Sequence, residues 1–496
     1  MSSARHPTAG PVIDGKIHPV EPDRAVPIRN PARRSETVGH VAMAAPEDVG
    51  AAVGAAESAS AIWAARSARE RAELLLAAAS AIEEGVDERA ELLTREHGKP
   101  VREARMDAGG AVKILRYYAG LAERFDTPEV TEDERGRVVR TRVPYGPTAV
   151  IAPWNAPVYL SFLMVAPALL AGNTVVIKPS EVVPLACTET LAIAATELPP
   201  GVLNVVLGDA EVGAALAEHP AIARISFTGS VPTGRALMRA AADSIKGISL
   251  ELGGNDPALI LEGARITDEL VSELVKGVYT GTGQICYNVK RIYVHASHHD
   301  EFVERFAAAV DELVVGDGRD PRTTLGPLAT EAQFRSVCAL IDRTEREGAE
   351  VRRLGRKLDP GSWEDGLFLL PTVVTGVQPG AEIVTCEQFG PTVPILPFDE
   401  LDEAVRLANA SEYGLAASVW DDDVDHAFEV AERVDAGTVF VNVHRVGASD
   451  ISMEFGGRRQ SGLGRGHGYV ALEEASEIKV IAQRTDLSAY RPHEGT

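Results

Sequence analysis

At 496 residues the chain is too long for one ordinary core, and at roughly 150 residues per domain it calls for two or three. With 45% hydrophobic and 24% charged residues it has the composition of a folded globular protein, which excludes a disordered one. Its 49 basic and 72 acidic side chains give a formal charge of −23, a mean field that repels nucleic acid and anionic membrane, so neither is expected as a partner and any anionic ligand must be held by local amides and lysines.

The N-terminal stretch MSSARHPTAGPVIDGKIHPV has no apolar signal core, and the longest apolar run, FLMVAPALLAG at 162–172, is too short to cross a bilayer. A cytoplasmic protein is expected. From Pro46 to Leu93 the sequence is alanine-rich with helical apolar spacing, and Ser67 followed by Glu70 has the form of a capping box. These are amphipathic helices packed on another layer. RVVRTRVPYG (137–146) then alternates like a half-exposed strand. TAVIAP, NTVVIKP, LNVVLG and RISFTG follow as short β-branched runs with helical stretches between several of them, the pattern of a parallel sheet covered on both faces. From about residue 255 a second set appears: PALIL, a helix over 265–281, KRIYVHA, a helix over 298–314 and TVFVNV. This predicts a second α/β domain, with the boundary at ELGGNDP, near 253–255.

Cys187, Cys286, Cys338 and Cys386 are widely spaced, with no C-x-x-C and no paired histidines, so neither a disulfide framework nor a metal site is expected. HHD at 298–300 opens a polar helical segment and reads as surface histidines. Three of the cysteines fall in or beside helical patterns and read as inert thiols. Cys286 differs, because TGTGQICYN (280–288) places it in a loop of glycine and threonine.

Four other stretches carry candidate chemistry. RISFTGSVPTGRALMRAA (224–241) runs strand, glycine turn and helix, with Gly229 and Gly234 where a pyrophosphate meets a helix N-terminus. The spacing is not G-x-G-x-x-G, and a plain strand-to-helix turn explains it as well. NTVVIKPSEVVPLA (173–186) sets Lys178 and Glu181 at the carboxyl edge of a strand, where a carboxylate accepts from ribose hydroxyls and opposes a 2′-phosphate, which favours NAD over NADP. PWNAP (153–157) offers the Asn155 amide to a developing oxyanion, or Asn155 as a turn cap. SLELGGN (249–255) puts Glu251 in an apolar segment where burial raises a carboxyl pKa towards that of a general base; the other reading is a salt-bridged strand residue.

PWN, KPSE, FTGS, ELGG, GQIC and EQFGP occur here in an order and approximate spacing that resemble the NAD(P)-dependent aldehyde dehydrogenase superfamily, from IRNPARRS (28–35) to RQSGLGRGHG (459–468). The resemblance implies an α/β fold of two Rossmann-like domains with a small bridging β-sheet. Residues 1–125 and 145–253 would form the dinucleotide-binding domain, 254–455 the catalytic domain, and 126–144 with 470–490 the bridging strands. It also implies that Cys286 attacks the aldehyde to give a thiohemiacetal, that oxidation by NAD leaves a thioester, and that Glu251 activates the water that releases the acid. Asn155 and the Cys286 amide would hold the oxyanion. Glu387 is implied on the nicotinamide ribose, Phe389 against the ring side of the cofactor, Lys178 and Glu181 on the adenine ribose and Ser230 on the pyrophosphate, with Trp154, Ser180, Gly229 and Leu252 completing the site. NAD is the expected cofactor, with NADP open.

By the same resemblance the aldehyde pocket includes Ala156, Tyr159, Leu160, Leu163, Ile285, Tyr287 and Phe455. None supplies an arginine for a carboxylate-bearing semialdehyde, so medium aliphatic or aromatic aldehydes fit; a cationic aminoaldehyde is the alternative, since tyrosines can face a cation. The chain departs from the family pattern at Asn255, where many relatives carry lysine. Two further readings are a semialdehyde dehydrogenase of the same family, including the coenzyme A-acylating type that Glu251 opposes, and an idle binding protein, opposed by the retained cysteine, asparagine and two glutamates. GRVVRTRVPYG and ASEIKVIAQRT (475–485) read as exposed strands that need partners, and a homodimer or homotetramer is expected.

Overall fold

The computed structural model describes residues 7–20, 25–134, 136–444 and 450–484, and in it the β-branched runs close two large sheets. Five strands of the first are parallel, in the spatial order Gly247–Glu251, Arg224–Thr228, Thr148–Ile151, Val175–Lys178, Leu203–Val205. Antiparallel strands extend both edges, Gly462–Leu463 beside Gly247–Glu251 and Val12–Ile13 beside Leu203–Val205. Thr148–Ile151 and Val175–Lys178 are buried at every position, as strands covered on both faces must be. The helices Pro157–Leu170, Leu185–Thr196, Ala210–Glu218 and Val231–Ala242 alternate with these strands.

The alanine-rich region forms Pro46–Ala64, Ala68–Glu83 and Val86–His97, followed by Val101–Ala119. Ser67 caps the second of these: its hydroxyl accepts from the Glu70 amide at 3.2 Å, while its own amide donates to the Glu70 carboxylate at 2.8 Å. Small alanines let the helices approach closely around Trp63, Tyr118 and Phe162, all fully buried. Each such ring contributes about 2–3 kcal/mol by leaving water.

Seven strands make the second sheet, in the order Glu350–Arg353, Thr372–Thr375, Thr392–Phe398, Val289–His295, Asp256–Ile260, Ala416–Trp420, Thr438–Val441. Only Glu350–Arg353 runs antiparallel to its neighbour. The chain leaves the first sheet at Glu251 and enters the middle of the second at Asp256, so Leu252–Asn255 spans the junction between them.

A third, antiparallel sheet pairs Gly136–Pro144 with both Glu129–Asp133 and Ser476–Arg484. The expectation of bridging strand from 470 needs one correction: Gly468–Glu474 is a helix. Ala471, Leu472 and Ala475 all enter the same core, which neighbouring residues of a strand, pointing to opposite faces, could not do. Residues 485–490 of that segment lie outside the described residues. Among the described residues, no helix is long and apolar enough to cross a membrane, and no cluster of His, Cys, Asp and Glu is placed to hold a metal.

Candidate active site

The cysteine loop begins where helix Asp268–Tyr279 ends. Gly281 and Thr282 take left-handed φ values of 65° and 58°, and Gly283 follows at 75°. At Gly283 only glycine fits, since a Cβ would run into the Gly390 carbonyl. Side chains then stitch the loop: Gln284 accepts from the Ala329 amide at 2.9 Å and donates to the Gly281 carbonyl at 3.1 Å, and Asn288 donates to the Val278 and Thr280 carbonyls at 2.9 and 2.8 Å. Buried Lys290 gathers the remaining carbonyls, donating to Ile285 at 2.7 Å, Asn288 at 3.2 Å and Cys286 at 3.4 Å. Cys286 is thereby presented half-buried from a rigid turn. Burial pushes its thiol up to about 12; Lys290 opposes the rise, while Glu387, Asp256 and Glu251 add to it.

Asn155 reaches this loop from the other sheet. It lies between strand Thr148–Ile151 and helix Pro157–Leu170, is buried, and its Nδ2 donates to the Gln284 carbonyl at 3.0 Å. That contact sets an amide donor two residues from Cys286. Glu251 arrives as the last residue of its strand. Among the described residues neither of its carboxylate oxygens has a close hydrogen-bond partner, and burial holds the carboxyl pKa well above its ordinary value, with the nearby Arg465 guanidinium and the Gly466 amide, which donates to the Phe455 carbonyl, only partly offsetting. A Cβ on Gly456 would lie 2.8 Å from Glu251 Oε1, so glycine there leaves the carboxylate its space. The salt-bridged alternative for Glu251 is not what the fold builds: among the described residues no direct ion pair joins Glu251 to Arg465, whose guanidinium donates to the Gly457 and Gly464 carbonyls.

The expected cofactor residues lie along the carboxyl edge of the first sheet and on the facing loop. Lys178 ends its strand, buried, donating to the Gly208 carbonyl at 2.6 Å and to exposed Glu181 at 3.0 Å. Ser180, also buried, accepts from the Val182 amide at 3.2 Å. Gly229 donates to the Glu251 carbonyl at 3.0 Å, and exposed Ser230 caps the helix Val231–Ala242, accepting from Thr233. Leu252 fills the space beside Gly234, where a Cβ would lie 2.8 Å from its side chain. Across the junction, Glu387 accepts from the Gly254 amide at 3.1 Å, and a Cβ on Gly253 would fall on its carboxylate. Phe389, held at a φ of 51°, meets Trp154 edge-on at 5.5 Å. An exposed helix N-terminus, an exposed carboxylate beside a buried lysine, and a facing glutamate are a donor and acceptor set that suits a nicotinamide dinucleotide.

The pocket residues divide. Tyr159, Tyr287 and Phe455 join through a residue the sequence reading missed, His467: Phe455 lies 6.0 Å from Tyr287 and 5.7 Å from His467, and the Tyr159 hydroxyl is 3.5 Å from His467 Nε2. Leu163 borders this group near Gly466, where a Cβ would lie 3.9 Å away. Ile285 instead packs back on its own loop at Gly281, and Leu160 against the first core. Lys290, Lys99 and Arg465 were also missed; each looks in sequence like an ordinary basic residue, since only their tertiary partners distinguish them. Asn255, which departs from the family pattern, donates to the Val384 carbonyl at 2.8 Å and ties the junction to helix Glu382–Thr385. Cys187 is buried against Ser161, whereas Cys338 and Cys386 are half-buried.

A family model described as the aldehyde dehydrogenase family matches residues 19–481. Among solved structures, the chain is similar to an aldehyde dehydrogenase from Bacillus cereus at 34% identity, covering 97% of both chains with a TM-score of 0.90. It is similar at 32% to betaine aldehyde dehydrogenase from Staphylococcus aureus in complex with NAD+, covering 96% of this chain and 95% of that one, TM-score 0.90. An NADP-dependent enzyme from E. coli matches at 32%, covering 96% and 98%, TM-score 0.91.

Proposed function

The chain belongs to the aldehyde dehydrogenase family, whose cofactor is NAD(P), and from that premise we propose that it oxidises an apolar aliphatic or aromatic aldehyde to the carboxylic acid, with NAD preferred. The observation that carries this reading is the convergence of Cys286, Asn155 and Glu251 from two sheets, with both Glu251 oxygens left without close hydrogen-bond partners among the described residues.

Cys286 first gives up its thiol proton to solvent; its Sγ then bonds to the aldehyde carbon as the C=O π pair moves onto oxygen, and that oxyanion is held by Asn155 Nδ2 and the Cys286 amide. A bound nicotinamide supplies the acceptor for the two electrons that leave the aldehyde carbon. The cysteine is left as a thioester. Glu251 then takes a proton from water, the hydroxide attacks the thioester carbon, the C–S bond breaks to release the acid, and the Glu251 carboxyl returns its proton to the departing Cys286 sulfur. A carboxyl whose pKa stands well above its ordinary value suits that proton transfer near neutrality. The aromatic group Tyr159, Tyr287 and Phe455 supports an apolar or aromatic substrate, and the same rings keep a cationic aminoaldehyde as the second reading. Glu251 weighs against coenzyme A as the acyl acceptor.

Strand Ser476–Arg484 is the edge of its sheet and exposes Ile478, Val480 and Ile481, apolar side chains that favour pairing with another copy. A homodimer or homotetramer in the cytoplasm is the assembly we infer, and sedimentation as a monomer at micromolar concentration would count against it.

NADH absorbance with a panel of aliphatic, aromatic and cationic aldehydes, with and without coenzyme A, tests the reading. Cys286→Ala is expected to lose activity by at least about 10³-fold; full activity in that variant would remove the nucleophile assignment.

A further inference from the structure

Lys99, in the segment that joins helices Val86–His97 and Val101–Ala119, forms with Asp107 of the second helix a buried ion pair that the proposed reaction does not use. Lys99 Nζ lies 2.8 Å from Asp107 Oδ2, and the side chains are 7% and 3% exposed. Each partner has a second contact. Lys99 Nζ also donates to the Asn155 backbone carbonyl at 2.7 Å, and Asp107 Oδ1 accepts from the Tyr159 amide at 2.8 Å, in the first turn of helix Pro157–Leu170. One pair of charges therefore grips the residue that offers the oxyanion donor and the residue that opens the pocket wall.

The same segment is anchored to the second sheet's side of the molecule. The Val101 amide donates to the Gly318 carbonyl at 3.0 Å, and a Cβ on Gly318 or Gly326 would collide with the Lys99 or Gly98 carbonyl. Asn155 is thus held twice: its carbonyl by Lys99, its side-chain amide by the Gln284 carbonyl of the cysteine loop. A residue pinned at both ends has little freedom left in its backbone or χ1, and oxyanion stabilisation depends on a donor already in place when charge develops. Fold stability alone does not call for charges here, since well-packed apolar side chains commonly replace a buried ion pair without loss.

We propose that Lys99 and Asp107 are positioning residues of the aldehyde oxidation, acting through Asn155 to hold its side-chain amide at the oxyanion. This rests on the reading of Asn155 given above.

The test is a double-mutant cycle. The pair is replaced by apolar residues, Lys99→Met with Asp107→Leu, in the wild-type and in an Asn155→Ala background, and the pre-steady-state NADH burst with benzaldehyde is measured. In the wild-type background the expected result is a burst slowed by at least about tenfold, with NAD affinity changed less than about twofold. In the Asn155→Ala background the same replacement should change the burst by less than about twofold, because its target is gone. A burst within about twofold of wild type, or an equal slowing in both backgrounds, would overturn the proposal. If the double replacement does not fold, Asp107→Asn, which keeps an oxygen for the Tyr159 amide and loses both the charge and the acceptor that faces Lys99, is measured in the same two backgrounds, where slowing confined to the wild-type background supports the proposal and any other pattern overturns it. Should Asn155→Ala by itself leave the burst unchanged, the oxyanion reading fails and this inference falls with it, an outcome visible in that variant alone.

Discussion

Lys290 donates to the Ile285 carbonyl at 2.7 Å, on the peptide plane that carries the Cys286 amide. In a trans peptide the N–H points opposite to the C=O, so this contact turns the Cys286 amide away from the lysine and leaves it available for the proposed oxyanion. The same ammonium is the charge that opposes the rise of the thiol pKa. Without cofactor, alkylation of Cys286 by iodoacetamide should accelerate about tenfold per pH unit between about pH 8 and 10, because the thiolate fraction grows by that factor well below the pKa. Lys290→Met should slow it further at every pH. Peptide mass spectrometry reads both, and a wild-type rate already flat at neutral pH would contradict the half-buried, neutral thiol.

Glu251→Gln separates the two halves of the reaction. The first-turnover burst of NADH should persist while steady-state turnover falls by about 10²–10⁴-fold, the usual worth of a general base. Trapping of the acyl-enzyme by mass spectrometry checks it; acid release at the normal rate would move the water-activating role elsewhere.

The same variant carries a stability signature. The Glu251 pKa is raised on folding from an ordinary value of 4.5, so its contribution to stability is fully present below about pH 4.5 and is lost as pH rises through the higher folded value. Glutamine cannot ionise and escapes that loss. Glu251→Gln should therefore melt above wild type at neutral and alkaline pH, with the gap closing as pH falls towards 4.5. Parallel melting curves at all pH values would contradict the raised pKa.

Glu181 is exposed and pairs with Lys178, so removing its charge costs the fold little. Glu181→Gln should raise kcat/KM with NADP relative to NAD by roughly three- to fivefold, and the gain should shrink in high salt. An unchanged ratio would take the adenine ribose away from this carboxylate.

Gly283→Ala should cost about 1–3 kcal/mol, from a left-handed φ of 75° imposed on alanine together with the collision at Gly390. Because Gly283 lies three residues before Cys286, activity should fall further than melting temperature does. Activity assays beside thermal melts decide it, and a fully active, fully stable variant would remove the steric argument.

Much of this molecule is local enough to be legible in its sequence. β-branched runs of four or five residues with helical stretches between them specify covered parallel strands, because each residue's burial on either face is written in its own side chain. The Ser67 and Glu70 cap spans four residues and closes on itself. Cys286 and Asn155 stand out as reactive or polar groups in loops, and Glu251 as a carboxylate closing an otherwise apolar strand, where packing alone asks for none. Gly468–Glu474 escaped because a short helix leading straight into a strand leaves too few residues to show a period.

Tertiary structure alone decided which charges gather around the candidate site. Lys99 and Asp107, eight residues apart, reveal nothing until helix Pro157–Leu170 brings the Asn155 carbonyl and the Tyr159 amide between them. Lys290 looks like the first polar residue of a strand until the loop folds its carbonyls back onto the ammonium. The physical reason is the same in both cases: the worth of a buried charge is set by the dipoles that surround it in space, and those come from parts of the chain whose arrival no local pattern encodes.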